Sequence, residues 1–467
     1  MASNKAKGIL CVIGGLILHI VFGCLYLWGN IQVYVTSYLH KYDTSITLDD
    51  TSTVFILQNA FKVICVPLAT LLIDFIPPWS TSLIGGLISM GGVFASTYAT
   101  NLYLFIFLYP ILFGIGTGFC YMIPIMCGWE YFPEWKGTVS GIILSGYGCG
   151  SFIFSFISIY IANPDEEQAD YPIPGGNIFN PESPVSSRAP VMLRIICAIW
   201  CCFIIAGMFL VSRKTKPALV KSLPKTSRLH TRQDFFQNET INSHLSIPGA
   251  SITVEPKLSE VFKEYRVYYI WLMLIFSSSY PLYLAGSFKT FEQIDLHDDR
   301  FITLVGSLGA VANGLSRWFW ATLQDFFGFK KIFALLMIFE IIVAFTFVSI
   351  HRIKILYLIW VFISFSSLGG YASTAPTLCA KIYGPISGGK TYTIIFSAYA
   401  VSPMIGWGLS KMKTNGVLEY STLFYILGIM PIISLIMTIF LNDSTMVKNA
   451  SCLNIKNEQN MRKGLLK

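Results

Sequence analysis

Charged residues are scarce in this sequence. Of its 467 residues, 12% are Asp, Glu, Lys or Arg and 54% are hydrophobic, whereas soluble domains carry roughly 25% charged residues. This composition argues against a soluble fold. The formal net charge of +8 can be assigned to loops rather than to one basic face, so we expect no nucleic-acid partner.

Motifs of catalysis are missing as well. The sequence contains no phosphate-binding loop, no His/Cys cluster with metal-ligand spacing and no nucleophile arrangement, which argues against an ATP-driven pump and a membrane enzyme. We therefore expect no enzymatic activity, no cofactor and no metal. The eleven cysteines lie almost entirely inside apolar runs, and no two fall in one predicted outside loop, so we expect no disulfide framework.

Long apolar runs are what the sequence does contain. A membrane-spanning helix needs about 20 apolar residues, and continuous runs of this kind are typical of helices rather than of barrel strands. The first run follows Lys5 and Lys7 without a small-residue cleavage site, so it is predicted to remain as a span. The twelve predicted spans are 8–36, 52–76, 80–99, 102–127, 138–162, 191–212, 267–288, 301–323, 331–350, 353–377, 391–410 and 421–441.

The basic residues predict the orientation. Most of the lysines and arginines outside the spans fall in segments that share a side with both termini, which the positive-inside rule places in the cytoplasm. Lipid bilayer is thus the expected surrounding, with the plasma membrane as the expected location and an organelle membrane as the alternative. The predicted domains are residues 1–212 and 265–441, six spans each, a polar cytoplasmic linker at 213–264, and a cytoplasmic tail at 442–467.

The two halves repeat each other. The letters ATLLID end at Asp74 after the second predicted span, and ATLQD ends at Asp325 after the eighth, 251 residues later. Gly137 and Gly389 follow a second matching pair of segments at nearly the same separation. These landmarks predict an all-α membrane fold of two pseudo-symmetric six-helix bundles with a binding site between them.

Several glycine- and tryptophan-rich blocks carry a resemblance to a known family. They are Gly23-x-x-Tyr26-x-Trp28, Gly114-x-Gly116-x-Gly118-x-x-Tyr121, the segment from Trp129 to Gly148, the segment from Asn313 to Lys331, and Pro376-x-Leu378 ahead of Tyr383-Gly384. The sequence resembles the major facilitator superfamily, within it the branch of oxalate/formate antiporters and monocarboxylate transporters. The resemblance implies a twelve-helix carrier that works by alternating access.

Arg317 is the first candidate site residue. It lies eight residues before Asp325, about 12 Å along a helix and thus deep in the membrane. A charge at that depth costs a few kcal/mol unless it faces water or a partner. In the resembled families the arginine of this block binds the substrate carboxylate, for which the planar guanidinium is suited. The alternative is a structural charge paired with a backbone carbonyl or a carboxylate.

Lys62 is the second candidate. It lies twelve residues before Asp74, and subtracting the repeat separation from Arg317 gives Val66, one helical turn away on the same face. Lys62 is therefore expected to face the same cavity, in a substrate or coupling role. An ion pair between helices is the alternative.

Two positions depart from the resembled families. Oxalate carriers of this branch have a second cation in the eleventh span, where this sequence has Tyr399. Proton-linked monocarboxylate carriers have an aspartate one turn before the arginine, where this sequence has Asn313. The substitutions favour a monoanion over a dianion and argue against the usual route of proton symport.

The loops after the second and eighth spans are gating candidates by the same resemblance. Asp325 with Lys330 and Lys331 matches the superfamily's gating loop, and Asp74 is its counterpart in the first half, without the basic residues. The latch formed by Asp74 is therefore expected to be the weaker one.

The remaining candidates are titratable or aromatic. His19 and Glu340 lie within predicted spans and are coupling candidates, with an interhelical hydrogen bond as the alternative for the histidine. Aromatic residues that can line a small-anion cavity, or can simply pack, are Tyr26, Trp28, Tyr121 and Tyr371. The hypothesis is a secondary or facilitative carrier of a small organic anion, most simply a monocarboxylate, with a proton or counter-anion as coupling partner. The alternative is a carrier of an unrelated solute in which Arg317 is structural.

Overall fold

Twelve long helices form the fold. The computed structural model describes residues 4–173, 176–214, 253–293, 299–350, 352–414 and 418–449. Spans 1 to 6 are Asn4–His40, Leu48–Leu72, Pro78–Ser96, Leu102–Tyr131, Lys136–Ala162 and Pro184–Leu210. Spans 7 to 12 are Tyr265–Gln293, Asp299–Phe327, Phe329–Ile350, Lys354–Tyr383, Pro385–Ile395 continued by Ala398–Thr414, and Tyr420–Phe440. Each predicted apolar run overlaps one of these twelve spans among the described residues, so the predicted all-α membrane fold is confirmed.

Nine of the twelve, judged over the described residues, are long and apolar enough by themselves to cross a membrane. The other three are spans 3, 8 and 11. Span 3 is rich in Gly, Ser and Thr, and span 8 carries Arg317 and Asp325. Span 11 is divided in two.

Three spans are interrupted. Span 1 tightens to a 3₁₀ turn at Gly23–Leu27, and span 4 widens to a π turn at Phe107–Ile111, which contains Pro110. A proline inside a helix removes one backbone donor and clashes with the preceding turn, so a local change of helix type is expected there. The break in span 11 falls between Ile395 and Ala398. Most residues of these interruptions are buried, whereas Tyr26 and Phe107 are exposed.

The chain forms two bundles, because spans 1 to 6 pack mainly on one another and spans 7 to 12 do the same. Span 5 of the first bundle and span 8 of the second form the most extensive contact between them. Glycines allow this approach: a Cβ at Gly141 would lie 2.7 Å from the carbonyl oxygen of Arg317 and 2.8 Å from the Cα of Trp318. Small residues at such positions let helix backbones come close in a membrane.

Short strands cap the two ends of the bundle. We call the end that carries Asn4 and the described parts of the segment between spans 6 and 7 the linker side, and the opposite end the far side. At the far side, β1 (Tyr171–Ile173) pairs antiparallel with β2 (Gly176–Ile178). At the linker side, β3 (Thr253–Val254) pairs with β4 (Lys448–Asn449). A short helix, Leu258–Val261, precedes span 7.

Span 6 begins earlier than its apolar run indicates. The helix starts at Pro184 after Ser183, whose hydroxyl accepts a hydrogen bond from the Ser186 amide at 3.3 Å. A serine N-cap followed by proline at the first helical position is a strong start signal. The first turns of span 6 are polar, so the apolar run that predicts the span does not include them. Most of the linker predicted at 213–264 and most of the tail at 442–467 lie outside the described residues.

Candidate functional site

Arg317 lies in the interior of span 8 and is 3% exposed. Its Nε and one terminal nitrogen donate to the side-chain oxygen of Asn313, at 3.2 and 2.9 Å. The two residues are one helical turn apart, so the Asn313 amide can fix the position of the Arg317 guanidinium. A guanidinium has five N–H donors, and these two bonds leave donors available for a ligand.

Lys62 lies in the interior of span 2 and is 4% exposed. Its ammonium donates to the side-chain oxygen of Asn59 at 2.9 Å and to the hydroxyl of Tyr147 at 3.1 Å. The same ammonium is 5.3 Å from the ring centre of Phe396, which belongs to span 11. Lys62 therefore lies where the two bundles meet.

Tyr147 joins the two cations. Its ring centre is 5.4 Å from the Lys62 ammonium and 5.6 Å from the guanidinium carbon of Arg317. The structure thus brings together Lys62 of one bundle and Arg317 of the other, as the repeat separation predicts. Tyr147 is not among the site residues predicted from the sequence, although it lies within the segment from Trp129 to Gly148.

Neither cation has a carboxylate partner among the residues that the structure describes. Two buried like charges repel each other, and each loses hydration that amide and hydroxyl groups replace only in part. An anion between them would relieve both penalties. The electrostatics of the site therefore favour a negatively charged ligand.

Aromatic rings enclose the cations. The ring of Tyr121 lies 5.4 Å from that of Tyr147 and 5.0 Å from that of Phe396. Phe396 is in turn 5.4 Å from the ring of Tyr399, whose buried hydroxyl has no hydrogen-bond partner among the residues that the structure describes. We call Lys62, Tyr121, Tyr147, Arg317 and Phe396 the central cluster. Its walls come from spans 2, 4, 5, 8 and 11.

His19 of span 1 borders the central cluster. Its ring lies 5.5 Å from that of Tyr121, and its Nδ1 is 2.8 Å from the carbonyl oxygen of Gly15. That carbonyl can only accept, so Nδ1 carries the proton in this bond. The Nε2 is buried too. Tyr26, also of span 1, contacts Tyr147 edge-on at 5.9 Å and is 38% exposed, so part of its side chain is accessible beside the cluster.

Three further candidates lie elsewhere. Trp28 donates to the Thr51 carbonyl oxygen at 3.1 Å and packs within the first bundle. Tyr371 and Glu340 are both completely buried inside the second bundle. Tyr371 donates to the carbonyl oxygen of Leu336, and Glu340 accepts from the Ser364 hydroxyl at 2.9 and 3.1 Å. The structure does not bring these three residues to the central cluster.

Asp325 closes the bundle at the linker side. Its carboxylate accepts from the amides of Gly137 and Thr138 at 2.8 and 2.6 Å, and from the Thr138 hydroxyl at 2.8 Å. These amides belong to the first turn of span 5, so the carboxylate lies at the positive end of the helix dipole of the other bundle. Three charge-assisted hydrogen bonds make this a strong tie between bundles.

A second tie crosses between the bundles at Asp74, which pairs with Lys390 of span 11. Lys136 donates to the Ala380 carbonyl oxygen at 3.2 Å, which is a third contact between the bundles. The other basic gating candidates lie further out: Lys330 donates to the carbonyl oxygen of Ile439 at 3.1 Å, and Lys331 lines an exposed groove between spans 8 and 9. These hydrogen bonds between the bundles lie at the linker side.

Sequence comparisons relate the chain to known carriers. The family model of the Major Facilitator Superfamily matches residues 266–451. Apicoplast pyruvate carrier 1 of Toxoplasma gondii is 24% identical over 469 residues, which cover 86% of this chain and 82% of that carrier. Monocarboxylate transporter 12-B of Danio rerio is 30% identical over 162 residues, 33% of this chain and 34% of the transporter. The match to this transporter thus spans about a third of either protein.

The fold is also that of a solved carrier. A proton:xylose symporter bound to 6-bromo-6-deoxy-D-glucose superposes with a TM-score of 0.66 over 95% of this chain and 98% of the symporter. The two sequences are 13% identical, so the similarity concerns the arrangement of helices and not the ligand.

Proposed function

We propose, from the premise that this chain belongs to the major facilitator superfamily, that it carries a small monocarboxylate across a membrane by alternating access. The observation that carries the proposal is the pair of buried cations, Lys62 and Arg317, on one tyrosine ring without a carboxylate partner among the described residues. A charge at the centre of a bilayer costs about 3 kcal/mol on insertion scales. Two such charges at one place are well explained by a negatively charged substrate.

Arg317 is the proposed anchor of the substrate carboxylate. Asn313 fixes the guanidinium from one side, so its remaining N–H groups can bind a carboxylate with two parallel hydrogen bonds. Lys62 keeps one donor after its bonds to Asn59 and Tyr147. That donor can bind a second polar atom of the substrate, such as an oxygen on the carbon next to the carboxylate.

The rings around the cations limit the size of the substrate. The ring of Tyr121 contacts those of Tyr147 and Phe396 at centroid distances of 5.4 and 5.0 Å, which favours a substrate of a few carbon atoms over a long-chain acid. The names of two relatives, a pyruvate carrier and a monocarboxylate transporter, support the same substrate class. His19 and a counter-anion remain the candidates for coupling.

In the proposed cycle, the carrier alternates between a state in which the bundles are closed at the linker side and a state in which they are closed at the far side. The ties of Asp325 and Asp74 close the linker side in this structure, and Tyr26 is partly exposed beside the cluster. We place the linker side and both termini in the cytoplasm, following the positive-inside rule. The name of one relative mentions the apicoplast, which supports the organelle alternative for the membrane.

Uptake into proteoliposomes tests the proposal. Labelled pyruvate, lactate, formate, oxalate and xylose are supplied in parallel, each with and without an inward pH gradient or an internal counter-anion. We expect saturable uptake of at least one monocarboxylate and none of xylose. Uptake of xylose without any monocarboxylate would support the alternative carrier in which Arg317 is structural. Stimulation by the pH gradient identifies symport, whereas stimulation by an internal anion identifies exchange.

A further inference from the structure

The first turns of spans 5 and 11 both donate backbone hydrogen bonds to a carboxylate, but the two carboxylates come from parts of the chain that the repeat does not relate. In span 5, Asp325 accepts from the amides of the second and third helical residues, Gly137 and Thr138. In span 11, the amides of the second and third helical residues, Ile386 and Ser387, donate to Glu255 at 3.1 and 2.7 Å. Both carboxylates therefore complement the positive end of a helix dipole.

The internal repeat does not predict that Glu255 binds the N-terminus of span 11. Asp74 is the counterpart of Asp325 after span 2, so symmetry assigns the span 11 terminus to Asp74. In the structure Asp74 pairs instead with Lys390, further along span 11. Glu255, which lies just before span 7, occupies the helix terminus.

Several contacts fix Glu255 in this place. The Ser387 hydroxyl donates to the carbonyl oxygen of Pro256 at 2.8 Å. The backbone just before Glu255 forms β3, which pairs with β4 after span 12. Gly384, the residue before span 11, has a φ of 94°, and a Cβ there would lie 2.8 Å from a carboxylate oxygen of Glu255. A side chain at this position would be strained and would also displace the carboxylate.

The charges around Glu255 connect it to the other bundle. Lys136, the first residue of span 5, is acted on electrostatically by Glu255 and by Asp325. Lys136 also donates to the Ala380 carbonyl oxygen near the end of span 10. Without Glu255, Lys136 of one bundle would lie near the uncompensated positive terminus of span 11 of the other, and like charges repel.

We propose that Glu255 is a positioning residue of the linker-side gate: it holds the N-terminus of span 11 so that Lys390 meets Asp74 and the two bundles close. The inference rests on the alternating-access part of the proposed function. It does not depend on which solute is carried.

The test is a labelling experiment in the full chain on a cysteine-depleted background, in proteoliposomes without substrate. The reporter is Thr377→Cys, because Thr377 is buried and its hydroxyl lies 3.4 Å from that of Ser140 in the other bundle. A second reporter, Tyr26→Cys, lies beside the cluster. A membrane-impermeant maleimide is applied to each side in turn.

We expect Glu255→Gln to raise linker-side labelling of the first reporter at least about threefold and to lower far-side labelling of the second. Glu260→Gln is the matched control, since Glu260 is an exposed glutamate five residues further on, and it should change neither rate. Asp325→Asn is the positive control for gate opening. Glu255→Asp keeps the charge and should label close to the parent.

Two results would overturn the inference. One is equal labelling of Glu255→Gln and Glu260→Gln while Asp325→Asn responds. The other is an unfolded Glu255→Gln beside a Glu255→Asp that labels at the parent's rate, which would assign the residue to folding. If Asp325→Asn also leaves both reporters unchanged, alternating access itself fails. If monocarboxylate uptake fails while the reporters respond, the gate stands and only the substrate assignment falls.

Discussion

Lys62 and Arg317 approach the same ring, that of Tyr147, from two different bundles, at 5.4 and 5.6 Å from its centre. Their helices contact the ring from the two sides of the interface at which bundles of this fold rock against each other. A ligand that binds both cations therefore contacts both bundles. Its binding energy is available to shift the equilibrium between the two closures, provided that it differs between them.

Replacement of Arg317 by lysine is expected to reduce uptake at least about tenfold, equivalent to roughly 1.4 kcal/mol. The substitution keeps the charge but loses the planar fork that binds a carboxylate through two bonds. Uptake rate and thermal unfolding are measured on the same preparation, and we expect unfolding to be little changed.

Arg194→Lys is the matched control for that prediction. Arg194 also lies in a span, donates to the Thr97 hydroxyl at 3.0 Å and stacks on Tyr98 at 4.6 Å, away from the central cluster. Its replacement should leave uptake near the parent's. Parental uptake by Arg317→Lys would contradict a direct role in binding.

Removal of the Tyr147 hydroxyl should weaken uptake less than removal of the ring. Tyr147→Phe loses one hydrogen bond to the Lys62 ammonium, worth about 1.5 kcal/mol for a charged group and thus about tenfold. Tyr147→Leu also loses the cation–π contacts of both cations and is expected to reduce uptake further. The readout is the concentration dependence of uptake for each variant.

Tyr109→Phe controls for loss of a buried hydroxyl as such. Tyr109 is completely buried in the same bundle and stacked between Phe105 and Phe113. If Tyr109→Phe reduces uptake as much as Tyr147→Phe does, the Tyr147 hydroxyl has no special role in the site.

The sequence predicts the twelve helices and the meeting of Lys62 with Arg317 for a physical reason. Apolar runs of this length have no other stable place than a bilayer, and a repeat with constant separation places corresponding helices symmetrically. The role of Tyr147 could not be predicted in this way, because it is one of 24 tyrosines and carries no charge that is costly to bury.

Glu255 could not be predicted either. It lies in a polar segment that the repeat does not include, so no counterpart in the other half indicates its contact with span 11. The partner of Asp74 is likewise visible only in the tertiary structure. The sequence predicts a weaker latch at Asp74 from its missing basic neighbours, whereas the structure pairs Asp74 with a lysine from the other half of the chain.

Asp325→Asn is expected to open the linker side more than Asp74→Asn. Asp325 accepts three hydrogen bonds at a helix terminus, whereas the Asp74 side chain is 47% exposed and pairs with one lysine. Exposed ion pairs contribute about 1 kcal/mol or less. Linker-side labelling of Thr377→Cys measures both variants, and a larger effect of Asp74→Asn would contradict this ranking.

Charge reversal tests the Asp74 pair by itself. Asp74→Lys alone should increase the labelling of Thr377→Cys, because it places two lysines together, and Lys390→Asp alone should do the same by opposing two carboxylates. The double variant should return toward the parent's rate. An increase in the double variant equal to the sum of the two single effects would show that the pair does not act as a latch.

Competition between a monocarboxylate and oxalate tests whether the site prefers a singly or a doubly charged anion. Arg317 and Lys62 both give part of their hydrogen-bonding capacity to asparagines, and Lys62 has a single donor left after its bond to Tyr147. A dianion loses more hydration than a monoanion on entering this site, and Tyr399 offers a hydroxyl where oxalate carriers have a cation. We therefore expect pyruvate or lactate to compete at least about tenfold better than oxalate, or roughly 1.4 kcal/mol.

Tyr399→Lys should shift the preference toward oxalate, since Tyr399 packs on the Phe396 ring that contacts Lys62, whereas Tyr399→Phe should not. Oxalate that outcompetes monocarboxylates in the unmodified protein would make Lys62 a full second anchor and reverse the proposed substrate class.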